Sequence, residues 1–320
     1  KQLLEKNFYV INVDKVSYAS NFYNTKEYIS NKKYKFFKLD IQNKKKLERI
    51  LFKFKPIGIF NLAAETHVDR SIDGPDNFIQ TNINGTFNLL EALRYLKKIG
   101  INPKLIHIST DEVYGDLKKG FRSDENYKYE PSSPYSASKA SADHLVKSYV
   151  RTYKLKAVIS NCCNNYGPFQ FPEKLIPKII FKAINGERLP IYGDGSQIRD
   201  WLYVSDHANA LLKVITEGKN GETYNIGGNN EKQNIEVAHL ICNILEEYPE
   251  MKPNKVKKFS DLVFHTEDRP GHDCRYAIDN SKIYKDLNWI PEESFESGLE
   301  KTVHWYVNNF SWLKKMSKNS

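Results

Sequence analysis

Short β-rich segments alternate with helical segments through the first half of this 320-residue chain. The predicted strands are residues 8–14, 36–40, 57–64, 105–109 and 157–161, and the predicted helices are residues 45–54, 76–98 and 134–153. This order is typical of a parallel sheet with helices on both faces, because parallel strands need a long crossover connection. The sequence therefore predicts an α/β fold with a doubly wound parallel sheet.

The second half of the chain is less regular, since Pro and Gly interrupt the pattern after about residue 165, for example at 193–195 and 269–271. A chain of this length also exceeds what one compact core usually holds. We expect a larger domain and a smaller, irregular α/β domain that closes over a ligand. Their predicted bounds are 1–165, with a segment near 200–227 returning to it, and 166–199 together with 228–320.

The start of the chain lacks a feature that such sheets usually have. A doubly wound dinucleotide-binding sheet opens with a strand, a Gly-rich turn and a helix whose N-terminus holds the pyrophosphate. Here residues 2–7 resemble the end of that helix, and a strand ending at Asp14 follows. We expect the first strand and the turn to be missing from this chain and the reading frame to extend upstream by roughly 20 residues. A mature protein that starts at Lys1 would contradict this.

Tyr135 and Lys139 lie four residues apart, which places them on one face of a helix. Ser133 as N-cap and Pro134 at the first helical position predict where that helix begins. A neighbouring ammonium favours the phenolate and lowers the pKa of a tyrosine. Such a phenolate can accept the proton of a sugar hydroxyl while a hydride leaves the same carbon.

Thr110, Asp111 and Glu112 follow the apolar strand at 105–109. Ligands of open α/β sheets bind beyond the carboxyl ends of the strands, so these side chains fall where chemistry is expected. Two adjacent carboxyl groups separate each other's pKa values, so that one stays protonated while the other is ionised. The pair could also be an ordinary solvated turn, but its position beside Tyr135 and Lys139 favours acid–base catalysis.

Composition excludes some classes of function. The net charge is +9, but the lysines are scattered and no basic helix or zinc-finger motif occurs, so we expect no nucleic-acid partner. The four cysteines have no paired spacing and are expected to be reduced and buried, and no metal site is predicted. No apolar run is long enough to span a membrane and no signal peptide is visible, which predicts a soluble cytoplasmic protein.

Long segments carry a family resemblance. They include LAAETHVDRSIDGP at 62–75, STDEVYGDL at 109–117, PSSPYSASKAS at 131–141, NNYGP at 164–168, FPEKLIP at 171–177, QIRDWLYV at 197–204, YNIGG at 224–228 and DRPGHD at 268–273. From residue 12 to the C-terminal region the chain resembles the extended short-chain dehydrogenase/reductases, and among them the NAD-dependent epimerase/dehydratases. The resemblance implies a Rossmann fold and a 4,6-dehydration of a nucleotide sugar.

By that resemblance the cofactor is NAD. The residues implied to bind it are Asp14, Lys15, Val16, Ser17, Asp40, Ile41, Leu62, Ala63, Ala64, Glu65, Thr66, Thr81, Tyr135, Lys139 and Asn165. The carboxylate of Asp14 also favours NAD over NADP on physical grounds, because it repels a 2′-phosphate. Asp40 could instead be a turn residue at the end of a strand.

The implied substrate is a nucleoside diphosphate sugar, dTDP-glucose, with UDP-glucose as the alternative, and the implied assembly is a homodimer through helices 76–98 and 134–153. The residues implied to bind the sugar nucleotide are Thr66, Thr110, Asn164, Lys174, Leu175, Pro190, Ile191, Tyr192, Arg199, Asn234, Asp268, Arg269, Pro270, Gly271 and His272. Arg199 and Arg269 suit a diphosphate because a guanidinium binds phosphates in a bidentate way. Arg199 could instead pair with Asp200.

In the implied reaction, Tyr135 removes the C4 hydroxyl proton with help from Lys139 and Thr110 while hydride passes to NAD. Glu112 then takes the C5 proton, and Asp111 protonates the departing C6 hydroxyl. A nucleotide-sugar 4-epimerase or 4-reductase is the nearest rival, but it does not need both acids. An inactive dinucleotide-binding scaffold is a remote alternative that rests only on the missing Gly-rich turn.

Overall fold

The computed structural model describes residues 1–318, and within them the chain forms eleven strands and twelve α-helices. The strands are β1 (Val10–Asp14), β2 (Tyr34–Lys38), β3 (Gly58–Asn61), β4 (Lys104–Thr110), β5 (Ala157–Cys162), β6 (Asn164–Tyr166), β7 (Leu189–Tyr192), β8 (Ile198–Tyr203), β9 (Thr223–Ile226), β10 (Glu231–Gln233) and β11 (Val263–Thr266). The helices are α1 (Gln2–Glu5), α2 (Lys44–Phe54), α3 (Val68–Asp73), α4 (Asp76–Phe78), α5 (Thr86–Lys98), α6 (Pro134–Tyr153), α7 (Leu175–Ile184), α8 (Val204–Glu217), α9 (Asn234–Leu245), α10 (Ser281–Leu287), α11 (Phe295–Asn308) and α12 (Phe310–Ser317).

The largest sheet has the strand order β3-β4-β5-β9 and is parallel throughout. Strands β1 and β2 form a separate parallel pair that is not hydrogen-bonded to this sheet. No described residue provides a strand between β1 and β3, where the usual strand order of this fold has one. The predicted α/β class is confirmed.

One predicted helix is interrupted. The pattern predicted a continuous helix over residues 76–98, but the structure has α4, a π-helical segment at Ile79–Gly85 and then α5. The segment contains the buried Thr81 and Asn82, and a Cβ on Gly85 would approach the Ile41 side chain to 2.6 Å. The wider turns let this stretch pack against neighbouring loops, a use that π-helical turns often have near functional sites.

The segments after β5 build two small sheets and a second hydrophobic cluster. Strand β8 pairs in parallel with β6 and antiparallel with β10, while β7 pairs in parallel with β11. Helices α7, α9, α11 and α12 contribute buried apolar side chains to the cluster. Strand β9 then returns to the large sheet beside β5.

Helix α6 begins where the sequence predicts. Ser133 is its N-cap and accepts the N–H of Ser136 at 3.1 Å, and Pro134 occupies the first helical position. Tyr135 and Lys139 therefore lie in the first two turns, on a face that is buried against the sheet.

Two predictions about single features can be compared with the fold. The four cysteines are free thiols, but the expectation that all are buried is wrong, because Cys274 is exposed and Cys162 is only partly covered. No helix within residues 1–318 is long and apolar enough to cross a membrane.

Candidate active site

A short 3₁₀ turn, Asp111–Tyr114, follows β4 and carries the two acids. Thr110 caps it: its Oγ1 accepts the backbone N–H of Glu112 at 3.3 Å and donates to Asp111 Oδ1 at 3.3 Å. The turn ends at Gly115 with φ +74° and ψ −163°, a conformation open mainly to glycine. The backbone of this turn, capped by the Thr110 side chain, thus sets the position of the acids.

The two acids have different electrostatic surroundings. Burial, followed by the charge of Glu112, raises the pKa of Asp111 well above its ordinary range, and its Oδ2 is buried without a hydrogen-bond partner. Burial also raises the pKa of Glu112, but Arg199, Arg269 and Lys174 oppose that shift. Asp111 is consequently the better proton donor of the pair, and Glu112 is the better proton acceptor.

Tyr135 and Lys139 do not show the predicted relationship. Burial, then Glu112, raises the pKa of Tyr135 well above its ordinary value, and the side chain of Thr110 opposes these effects. The Lys139 ammonium donates to the carbonyl of Ile108 at 2.6 Å, which engages part of its charge elsewhere. The expectation that Lys139 lowers the pKa of Tyr135 in the protein alone is therefore wrong, because desolvation and the nearby acid are stronger.

Asn82 connects the catalytic helix to the loop after β3. Its side chain accepts the N–H of Glu65 at 2.8 Å and donates to the Glu65 carbonyl at 3.0 Å and to Ser138 Oγ at 2.8 Å. Ser138 in turn donates to the carbonyl of Tyr135 at 2.7 Å. The sequence analysis missed Asn82 and Ser138, since both sit in helical patterns without any distinguishing signal.

A pocket of about 420 Å³ lies at the carboxyl ends of β1 and β2. It is lined by Lys15, Val16, Ser17, Lys38, Leu39, Asp40, Asn43 and Lys46, four of which are predicted cofactor residues. Asp14 precedes these residues and holds the loop beside the pocket. Its carboxylate accepts the N–H of Val16 at 2.5 Å and the hydroxyl of Ser20 at 3.1 Å. Asp40 combines both of its expected roles: it lines the pocket and also accepts the N–H of Gln42 at 2.8 Å in a turn.

The remaining predicted cofactor residues lie outside this pocket. Glu65 pairs with Lys15 at 2.5 Å, and Thr81 accepts the amide of Gln42 at 3.2 Å. Asn165 donates to the Cys163 carbonyl, but its Oδ1 is buried without a partner. Residues 62–64 follow β3 directly, with Leu62 strongly exposed, and Thr66 offers its carbonyl to Lys174. The unpartnered buried amide oxygen of Asn165 and the pocket at the ends of β1 and β2 offer polar contacts of the kind that a dinucleotide uses.

Two of the predicted substrate residues contact a carboxylate that the sequence analysis missed. Asp69, on α3, receives Arg269 Nη1 at 3.3 Å and the hydroxyl of Tyr192 at 3.1 Å. Nearby, His272 and Asp268 lie 2.6 Å apart. Arg269 Nε is buried and has no hydrogen-bond partner in the described chain, so one donor of this guanidinium is unused.

Arg199 is more deeply placed than predicted. Its guanidinium is buried, donates to the carbonyls of Ile198 and Asp273 and lies 4.2 Å from the ring of Tyr276. The alternative pair with Asp200 does not form, because that carboxylate instead accepts backbone N–H groups at 228 and 230. Arg199 therefore acts on the acid pair, lowering the pKa of both carboxyls against the effect of burial.

Other predicted substrate residues are spread around the second hydrophobic cluster. Leu175 and Asn234 begin α7 and α9, Asn164 begins β6, and Pro190 precedes the buried Ile191 in β7. Pro270 and Gly271 are exposed in the loop after β11. Because Ile191 is 1% exposed and packs in the core, it can offer a ligand only its backbone. Residues 1–318 contain no group of three His, Cys, Asp or Glu side chains suited to a metal ion.

The chain is similar to known proteins over nearly its whole length. A curated dTDP-glucose 4,6-dehydratase of Neisseria meningitidis serogroup B is 54% identical over 319 residues, which is 97% of this chain and 89% of that protein. The solved dTDP-glucose 4,6-dehydratase of Bacillus anthracis in complex with NAD matches with a TM-score of 0.86 at 42% identity, covering 98% of this chain and 94% of that one. The Streptomyces venezuelae dTDP-glucose 4,6-dehydratase with NAD and TYD bound matches with a TM-score of 0.90 at 38% identity over the same shares.

The resemblance read from the motifs is thereby confirmed. The family model described as GDP-mannose 4,6 dehydratase matches residues 1–302 of the chain. With the acid pair, the tyrosine and the lysine all gathered at the carboxyl edge of one parallel sheet, the chain belongs to the GDP-mannose 4,6 dehydratase family.

Proposed function

We propose that the chain is an NAD-dependent 4,6-dehydratase that converts dTDP-glucose to dTDP-4-keto-6-deoxy-glucose and water, for the synthesis of deoxysugars such as rhamnose. The observation that carries this proposal is the pair Asp111 and Glu112, whose surroundings differ in the way that an acid and a base require. A 4-epimerase or 4-reductase has no use for such a pair. The names of the related proteins support the nucleotide, dTDP rather than UDP.

Residues of this chain would hold NAD along one path. Lys15 to Ser17 and Asp40 would receive the adenosine end, and Asn165, with its unpartnered Oδ1, would receive a donor at the other end. When bound, NAD supplies the hydride acceptor that later serves as hydride donor in the same turnover.

Tyr135 would begin the reaction by taking the proton of the C4 hydroxyl. Thr110, whose side chain opposes the raised pKa of Tyr135, would hold the same oxygen, and the Lys139 ammonium would stabilise the phenolate that Tyr135 must become before it can accept this proton. Because burial raises the pKa of Tyr135, the phenolate needs this cationic help, and its charge is lost when the proton arrives.

The 4-keto group acidifies the neighbouring C5 hydrogen, and Glu112 would remove that proton. Asp111, which burial keeps protonated, would give its proton to the C6 hydroxyl so that water leaves. Glu112 would return its proton to C5 when the hydride returns to C6. Glu112 therefore ends the cycle ionised, as it began, whereas Asp111 has lost a proton and must regain one before the next turnover.

Arg269 and Lys174 would hold the diphosphate. Both side chains lower the pKa of Glu112 against the effect of burial, so both lie on the same side of the site as that carboxylate. The unpartnered Nε of Arg269 gives a phosphate oxygen a donor that needs no rearrangement of the Asp69 contact.

We also propose the division of labour predicted from the sequence, with the cofactor on the segments up to residue 165 and most of the sugar nucleotide on the segments after it. A cytoplasmic homodimer is part of the same proposal. It is supported by large apolar side chains that α5, α6 and the π-helical segment leave exposed, namely Ile79, Phe87, Tyr95 and Tyr153. Sedimentation at micromolar concentration tests the dimer, which a monomeric mass would contradict.

The test of the function is to supply the protein with NAD and, separately, dTDP-glucose and UDP-glucose, and to follow the products by mass spectrometry. We expect dTDP-glucose to lose one water and acquire a keto group. Isomerisation without loss of mass would favour the epimerase, turnover of UDP-glucose alone would reverse the nucleotide assignment, and no product from either sugar would overturn the proposal.

A further inference from the structure

Asp143 is a fully buried carboxylate to which the proposed reaction gives no role. It lies on α6 one turn after Lys139, which itself lies one turn after Tyr135, so the three share a helix face. Its Oδ2 accepts the hydroxyls of Ser109 at 2.8 Å and of Tyr129 at 3.0 Å. In both contacts Asp143 accepts a hydrogen bond and does not donate one.

The other carboxylate oxygen faces a histidine. Asp143 Oδ1 lies 3.4 Å from Nε2 of the buried His107, whose Nδ1 meets the Asn61 amide at 3.1 Å. With Asn61 donating to Nδ1, the ring proton sits on Nε2, which lies near Asp143 Oδ1 without forming a hydrogen bond to it. Burial, followed by the charge of Lys139, lowers the pKa of His107, so the ring is neutral and supplies no charge.

The groups that face Lys139 come from three elements, and of these Asp143 is the anion. Burial lowers the pKa of Lys139, while Asp143 and then Cys162 oppose that shift. Burial raises the pKa of the Cys162 thiol to about 12, so on β5 this group is neutral. On α6 the raised pKa of Tyr135 keeps the phenol neutral, and on β4 His107 is neutral as well.

A buried ammonium and a buried carboxylate each carry a large desolvation cost unless they are paired. Lys139 is 3% exposed and Asp143 is 0% exposed. The bond from Lys139 to the Ile108 carbonyl satisfies one of its protons but does not balance its charge.

We propose that Asp143 is the buried counter-ion of Lys139 and, by holding that ammonium charged beneath Tyr135, is a positioning residue for hydride transfer. The role in hydride transfer rests on the proposed function, whereas the charge pair does not. Asp143 touches neither substrate nor cofactor. It acts through Lys139, and the hydroxyls of Ser109 and Tyr129 fix its carboxylate beside the end of β4.

A double-mutant cycle on protein stability tests the pair without any assay of activity. The variants are Asp143→Asn, Lys139→Met and the two combined. Each single change should lower the melting temperature, because it leaves one buried charge alone, and the double variant should melt above Asp143→Asn. If the losses in melting temperature of the two single variants simply add in the double variant, Asp143 and Lys139 are not paired and the proposal is overturned. If Asp143→Asn alone does not fold, folding of the double variant supports the proposal and its failure to fold overturns it.

The pH profile of NAD reduction in a single turnover tests the role in hydride transfer. Without Asp143 the pKa of Lys139 falls further, and the neutral lysine no longer helps Tyr135. Activity is lost as pH rises through that pKa, so the alkaline limb of Asp143→Asn should lie at lower pH than that of the wild type. An unshifted limb would overturn the role.

Tyr129→Phe and Ser109→Ala are matched controls, since each removes one hydrogen bond to Asp143 and keeps its charge. Their alkaline limbs should coincide with the wild type, and an equal shift would assign the effect to packing and overturn the proposal. If the wild type forms no product at all, the proposed function fails, while the stability cycle still decides whether Asp143 and Lys139 are paired.

Discussion

The hydroxyl of Thr110 accepts the backbone N–H of Glu112 at 3.3 Å, so the residue that ends β4 also caps the turn that carries both acids. Neither acid depends on the other's side chain for its position. Substitution at one should therefore leave the other in place, which allows their roles to be separated by experiment.

Glu112→Gln and Asp111→Asn should block elimination and leave oxidation intact. Each removes one group for proton transfer at C5 or C6, so kcat should fall by about 10²–10⁴-fold. Rapid mixing with dTDP-glucose should still show reduction of bound NAD, whereas Tyr135→Phe should not. The exposed Glu130→Gln is the control for loss of a carboxylate near the site. Full dehydration by Glu112→Gln would refute the assignment of the C5 base.

The stability of Asp111→Asn relative to the wild type should increase with pH. Burial raises the folded-state pKa of Asp111 above its unfolded value, so its stabilising contribution is present at low pH and is lost as pH rises through the folded pKa. Asparagine has no such titration. Urea unfolding between about pH 4 and about pH 8 measures the difference, with the exposed Asp73→Asn as the control, and a constant gap would contradict the prediction.

Gly115→Ala should destabilise the protein more than Gly120→Ala. Both residues have positive φ, +74° and +79°, which costs an alanine roughly 1–2 kcal/mol. A Cβ on Gly115 would also lie 2.2 Å from the Glu130 carbonyl oxygen, whereas nothing lies within 4 Å of one on Gly120. We expect a further loss of about 2 kcal/mol or more in the free energy of unfolding at Gly115, and lost activity. Equal losses would show that the backbone angle alone matters.

His207 should make the protein sensitive to mild acid. Burial lowers its pKa from 6.5 to about 4, so its contribution to stability is complete above pH 6.5 and is lost as pH falls towards 4. The full loss is about 3 kcal/mol. His207→Gln should flatten the dependence of unfolding free energy on pH in this interval, while the exposed His239→Gln should follow the wild type.

Arg269→Lys should weaken substrate binding and spare the chemical steps. A lysine side chain has one nitrogen and cannot donate to Asp69 and to a phosphate from separate nitrogens. KM for dTDP-glucose should therefore rise by roughly 10-fold or more while kcat changes little. Arg188→Lys, an exposed change over the ring of Phe264, is the control. A fall in kcat with unchanged KM would place Arg269 in the acid–base machinery instead.

Local patterns in the sequence predicted local structure well. Ser133 and Pro134 located the start of α6 because capping depends on adjacent residues. The sequence predicted that Asp111 and Glu112 would differ in pKa, but burial is the largest cause for both, and distant cations rather than Asp111 oppose the shift at Glu112.

Long-range contacts were not predictable in this way. Asp69 and Arg269 are 200 positions apart, and no pattern in either segment announces the other. The effect of Lys139 on Tyr135 was predicted wrongly because helical spacing says nothing of the Ile108 carbonyl or of the degree of burial. The π-helical segment escaped prediction for a similar reason, because it is a response to packing around Asn82.

Strand β9 has a consequence for how the chain is synthesised. Ile159 of β5 pairs with Thr223, so a nascent chain cannot complete its largest sheet until residue 226 has left the ribosome. The hydroxyl of Tyr114, in the acid-bearing turn, donates to Asn225 of β9 at 2.8 Å. A chimera of two relatives joined at residue 165 would take the two members of each of these pairs from different parents. Exchange of the halves therefore requires that both parents carry compatible residues at these pairs.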